Sequence, residues 1–162
     1  MFPVRTIELA SQVLERARKH NKRVTTVETV TSGLVAAALT SVPGASTIIE
    51  RGFILYHESA KATGLGVSAE IAAKHGAVSA PVTAGLAEGG LANSTAGISI
   101  AVTGYAGPTG GNERDPVGTC YVAVAFEGKD TGVERHTFEG DRNDIRLEGV
   151  NAALCCAATQ LK

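Results

Sequence analysis

Two short β-branched runs, VTTVE at 24–28 and ISIAVTG at 98–104, each stand beside a helix-forming stretch made almost wholly of small residues. The first is followed by SGLVAAALTS and the second is preceded by SAPVTAGLAEGGLANS. The second, with little polar surface, reads as a buried strand, and helices of Ala, Gly, Leu and Val can lie close enough to cover such strands. Aromatic residues are only 4% of the chain and Trp is absent, while 19 glycines permit close backbone approach. The core must therefore come from Ala, Val, Ile and Leu, which suits α/β layers.

The rest of the chain fits that frame. TIELASQVLERARKH places Ile7, Ala10, Val13, Leu14 and Ala17 on one side at helical spacing, which predicts an amphipathic helix packed on a sheet. Pro43 and Gly44 break the pattern, and TIIERGFILYH reads as a helical turn leading to a strand centred on Phe53 to Leu55. ESAKATGLG, SAEIAAKHG and SAPVTAGLAEGGLANS predict two short helices and one longer one, each opened by Ser or a Ser-containing stretch and closed at Gly or Asn. TCYVAVAFEG and TGVERHTFEG alternate well enough for an antiparallel hairpin, and DRNDIRLEGVNAALCCAATQLK predicts a long final helix. Together these elements predict one three-layer α/β/α domain over residues 1–162, with a mixed, mostly parallel sheet.

Charge and cysteine usage narrow the function classes. A formal net charge of −1, with both signs mixed along the chain, gives no footprint for a nucleic-acid backbone or an anionic membrane. The expected partners are a small-molecule substrate and other protein chains, in a homo-oligomer. Cys120, Cys155 and Cys156 lack metal-ligand spacing, and His57, His75 and His136 are scattered, so no metal and no cofactor are expected. The sequence has no apolar run near the ~20 residues that span a bilayer and no signal-peptide pattern at MFPVRTIELASQ, which predicts a soluble cytoplasmic protein.

Three loops follow three expected strands: Thr29 to Gly33, His57 to Lys61, and the glycine-rich GYAGPTGGNERDPVG from Gly104. In open α/β sheets ligands collect at the carboxyl ends of strands, so these loops are expected to share a cleft. Ser46, Tyr56 and Lys61 stand out in an otherwise apolar region. An N-cap serine, a strand tyrosine and a solvated lysine form the plain reading of these three; the alternative is a nucleophile with its base and its proton relay. The glycine-rich loop matches neither a P-loop nor a dinucleotide fingerprint. Arg142 is either a solvated charge or a holder of phosphate or carboxylate.

PGASTIIERGFILYHESAKATGLGV, AKHGAVS, ISIAVTGYAGPTGG, PVGTCYVAVA and FEGDRNDIR, in that order, resemble the CinA C-terminal domain family, whose characterised members deamidate nicotinamide mononucleotide. The resemblance runs from about Thr25 to near the C-terminus. It implies metal-free hydrolysis of the carboxamide to nicotinic acid mononucleotide and ammonia, in pyridine nucleotide salvage. Ser46 is then the nucleophile and Lys61 with Tyr56 activates it. Glu28, Thr31, Gly33, Ala45, Thr103, Gly104, Gly107 and Arg142 are the positions assigned to the substrate. The separate N-terminal domain of longer CinA proteins is expected to be absent.

One segment departs from the family. VETVTSG has Thr29, Val30 and Ser32 where Ser, Cys and Gly are usual, and Ser32 is expected to narrow the pocket or alter its substrate. Two other readings stay open: a nucleotide-binding regulatory module without efficient chemistry, and a structural oligomerisation domain.

Overall fold

In the computed structural model the described residues are 1–60 and 65–162. The chain opens with α1 (Val4–Lys19), whose buried stripe of Thr6, Ala10, Val13, Leu14 and Ala17 matches the apolar spacing in the sequence. Strand β1 (Val24–Glu28) is buried at all five positions. It leads through the 29–33 loop into α2 (Leu34–Thr40). A three-residue 3-10 turn, Ala45–Thr47, precedes β2 (Ile49–Ile54). Then come α3 (Glu58–Leu65), α4 (Ala69–His75), α5 (Ala80–Ala92) and β3 (Ile98–Gly104). The hairpin β4 (Thr119–Phe126) and β5 (Gly132–Thr137) follows, and α6 (Arg142–Gln160) closes the chain.

The five strands lie in the order β2-β1-β3-β4-β5. β1 pairs in parallel with both β2 and β3, while β4 is antiparallel to both of its neighbours. Four strands therefore point one way and β4 alone points back, giving the mixed, mostly parallel sheet expected from the sequence.

Side chains alternate across this sheet and create two cores. On one face Val24, Ile98, Ile100, Val102, Val122 and Val124 pack against α1, α2 and α6. On the other, Val27, Ala101, Ala123 and Ala125 meet Val82, Leu86 and Ala87 of α5, with Leu65 and Val67 beyond. This second interface is thin because glycine lies at its contact: a Cβ on Gly90 would come within 2.8 Å of Val27 Cγ2. The fold is thus a single three-layer α/β/α domain.

The expected strand centred on Phe53 to Leu55 lies further toward the amino terminus, at Ile49–Ile54. Glu50, Arg51 and Gly52 hide it in the sequence. As an edge strand it can carry such residues, and the Glu50–Arg51 ion pair of 2.7 Å sits on the open edge.

Candidate active site

The parallel strands β1, β2 and β3 end at the same edge of the sheet, and their three following loops enclose a cavity of about 380 Å³. Its lining includes Thr29, Tyr56, Glu58, Gly104, Gly107 and Arg142. Arg142, the first residue of α6, ties the rim together. Its guanidinium donates through Nη1 to the Gly107 carbonyl at 2.7 Å and through Nη2 to the Tyr56 hydroxyl oxygen at 2.8 Å. With that oxygen accepting from Arg142, the phenol hydrogen of Tyr56 is left to serve another partner. Gly104 is needed as glycine, since a Cβ there would lie 2.7 Å from Cys120 Sγ and 2.8 Å from the Thr119 carbonyl.

Beneath the cavity is an arrangement that the sequence did not reveal. Glu28 is 1% exposed, yet its carboxylate is fully engaged. Oε2 accepts from Thr31 Oγ1 at 2.7 Å, Gly33 N at 2.9 Å and Val35 N at 3.0 Å, and Oε1 accepts from Ala36 N at 2.9 Å. A carboxylate at the amino end of α2 satisfies its orphan N–H groups and faces the positive end of the helix dipole. Glu28, Thr31 and Gly33, expected at the substrate, form a knot that fixes the 29–33 loop from below. Arg146 holds the same loop from α6, donating through Nε to the Val30 carbonyl at 3.1 Å.

The structure separates other residues that the sequence groups together. Ser46 and Ala45 belong to the 3-10 turn before β2, whereas Tyr56 follows β2. Six extended residues between them put Ser46 and Tyr56 at opposite edges of the sheet, roughly 20 Å apart. Ser46 is exposed and borders a separate surface hollow formed by residues 40–46. Thr103 is fully buried and hydrogen-bonded to Thr83 at 2.8 Å, beneath the cavity wall. Ser32 does not narrow the cavity: its hydroxyl turns back to the Thr29 carbonyl at 3.1 Å, and the cost of losing glycine appears as a left-handed φ of 48°. The aliphatic hydroxyls on the cavity wall belong to Thr29 and Thr109. Thr29 Oγ1 donates a hydrogen bond to the Val102 carbonyl at 3.1 Å. Lys61, the expected base, lies outside the described residues.

The glycine-rich loop is anchored by Asp115, which is completely buried. Its carboxylate accepts from Tyr121 Oη at 2.9 Å, Arg135 Nε at 3.0 Å and Arg114 Nε at 2.9 Å. Burial opposes its charge, but the hydrogen bonds from Arg114, Arg135 and Tyr121 prevail and hold the carboxyl below its usual range.

The sequence pattern of the CinA C-terminal domain matches residues 6–161. The chain is 44% identical over 147 residues to a CinA-like protein of Anaeromyxobacter sp. (strain Fw109-5), covering 91% of this chain and 36% of that one. It thus spans about a third of the length of such CinA-like relatives. It is 39% identical over 148 residues to the nicotinamide-nucleotide amidohydrolase PncC of Escherichia coli (strain K12), covering 91% of this chain and 90% of that one. The crystal structure of competence/damage inducible protein CihA from Agrobacterium tumefaciens superposes with a TM-score of 0.93 at 36% identity, covering 99% of both chains. Among the described residues no helix is long and apolar enough to cross a membrane.

Proposed function

Because the chain belongs to the CinA C-terminal domain family, we propose that it hydrolyses the carboxamide of nicotinamide mononucleotide, releasing ammonia and nicotinic acid mononucleotide. The observation that carries this reading is the pairing of a near full-length likeness to an amidohydrolase with a cleft that holds a hydroxyl, a phenol and a guanidinium. The cavity volume falls in the ordinary range for a small-molecule site.

Thr29 is the nucleophile in this proposal. It stands where the family resemblance places serine, and it faces the cavity from the loop fixed by Glu28. Its Oγ1 attacks the carboxamide carbon, the C–N bond breaks, ammonia departs with an added proton, and water then cleaves the ester to give the carboxylate and restore the hydroxyl. In this proposal Tyr56 donates its phenol hydrogen while Arg142 holds its oxygen. Arg142 also supplies the positive charge that a nucleotide phosphate or a developing oxyanion requires. Lys61 keeps the base's part on the strength of the sequence resemblance. Assembly into a homo-oligomer and a place in pyridine nucleotide salvage belong to the same proposal.

The test is ammonia release from nicotinamide mononucleotide, nicotinamide riboside and simple amides. The wild type should act on the nucleotide, Thr29→Ala should lose at least ~100-fold in rate, and Ser46→Ala should retain the wild-type rate. Wild-type turnover by Thr29→Ala would remove Thr29 from the chemistry. Nucleotide binding by the wild type without ammonia release would favour a regulatory module that keeps only the pocket.

A further inference from the structure

Away from the cleft, the edge strand β5 and helix α6 bring together three side chains that take no part in the proposed hydrolysis. Glu134 and His136 are two residues apart on β5 and so project from the same face, toward α6. Cys156 meets them from α6, 14 residues beyond Arg142, and none of the three lines the cleft. His136 Nε2 lies 3.2 Å from Glu134 Oε2 and 3.8 Å from Cys156 Sγ, and one potential ligand atom from each residue falls within 4.8 Å of the others. The His136 ring is stacked on Phe138, with centroids 5.7 Å apart and planes at 8°, so its direction is set by packing.

A carboxylate oxygen, a ring nitrogen and a sulfur therefore converge on one point. Zinc bonds of ~2.0–2.1 Å to nitrogen and oxygen and ~2.3 Å to sulfur give tetrahedral edges of about 3.3 Å for N···O and about 3.6 Å for N···S. The two separations in the protein match those edges to within a few tenths of an ångström. The burial gradient fits as well: Cys156 is buried, His136 is half-buried and Glu134 is exposed, so the fourth corner faces solvent.

We propose that Glu134, His136 and Cys156 form a divalent transition-metal site, filled by zinc with one water, that pins the edge strand β5 to α6. Mixed carboxylate, imidazole and thiolate ligands suit zinc and its spectroscopic substitute cobalt better than calcium or magnesium. On binding, the thiol proton leaves to solvent, because the thiolate is the ligand. Sequence spacing conceals the site, since its ligands come from a strand and a helix 20 residues apart, and Cys155, the adjacent residue, is exposed.

The experiment titrates the metal-free chain with Co²⁺ and follows the thiolate-to-cobalt charge-transfer absorption, with Zn²⁺ as competitor and thermal unfolding as a second readout. One equivalent of Co²⁺ should produce the band, Zn²⁺ should displace it, and Zn²⁺ should raise the melting temperature. Cys156→Ser should abolish the band, whereas Cys155→Ser should keep it. Glu134→Gln lies on the surface and leaves folding intact, and it should weaken binding by at least ~10-fold. No saturable band in the wild type, a band retained in Cys156→Ser, or unchanged affinity in Glu134→Gln would overturn the site.

Discussion

Glu28 shows how a single residue can shape a site without touching it. Its two oxygens accept four hydrogen bonds from the loop and first turn that follow it, so both the charge and the acceptor count matter. Glu28→Gln keeps the shape but turns an amide donor toward N–H or O–H groups that need an acceptor. It should cost about 2–3 kcal/mol in urea unfolding and lower amidase turnover through displacement of Thr29. Unchanged stability would mean that the loop holds itself. The family resemblance marked Glu28 as a substrate position, and its hydrogen bonds to the start of α2 were not legible in the sequence. A carboxylate aimed at substrate and one aimed at helix N–H groups look alike until α2 is known to start beside it. The motif resemblance grouped Ser46 with Tyr56 and Lys61, and the extended strand β2 lies between Ser46 and Tyr56.

At the scale of elements, most of the organisation was legible. β1 and β3 declare themselves by consecutive apolar and β-branched residues, α1 by its buried stripe and α6 by its capping residue. β2 was less clear because an exposed edge strand need not look apolar. The start of α6 links fold to site most directly. Asp141 accepts from Asn143 N at 2.7 Å and Asp144 N at 3.0 Å, while Asp144 Oδ2 accepts from Asp141 N at 2.9 Å, a reciprocal cap that fixes the first turn. That turn directs Arg142 across the cleft. Asp141→Ala should therefore cost about 1 kcal/mol of stability. Arg142→Lys should leave the fold intact but cut kcat/KM by at least ~10-fold, because an ammonium cannot span the Tyr56 hydroxyl and the Gly107 carbonyl as a guanidinium does. Full activity in the lysine variant would show that charge alone suffices at the rim.

For the molecule as a whole, Asp115 connects segments that lie far apart in sequence. Through Arg114, Tyr121 and Arg135 it joins the glycine-rich loop to β4 and β5, and Arg114 Nη2 reaches on to the His75 carbonyl at the end of α4 at 2.9 Å. Every carboxyl among the described residues with a resolved displacement moves downward. Hydrogen bonds from Lys19, Arg51 and Lys22 lower Glu15, Glu50 and Glu127, and the backbone N–H groups of Asp144 and Asn143 lower Asp141. Glu15, Glu127 and Asp141 are exposed and screened by salt, and the half-buried Glu50 pairs with an exposed Arg51, so Asp115 should dominate. A folded-state pKa below the unfolded value of ~3.9 means that the unfolded chain takes up a proton first as pH falls. The stabilisation is therefore complete above about pH 5 and disappears as pH drops through the folded value. Asp115→Asn should be less stable than wild type by about 3 kcal/mol at neutral pH, because two guanidinium groups lose their carboxylate. The gap should narrow steadily below about pH 4, where the unfolded wild-type chain takes up a proton that the folded carboxyl still releases. Urea unfolding of both proteins between neutral pH and strong acid measures it. A gap that stays constant to the acid limit would show that Asp115 acts by shape and hydrogen-bond count, with its charge contributing nothing.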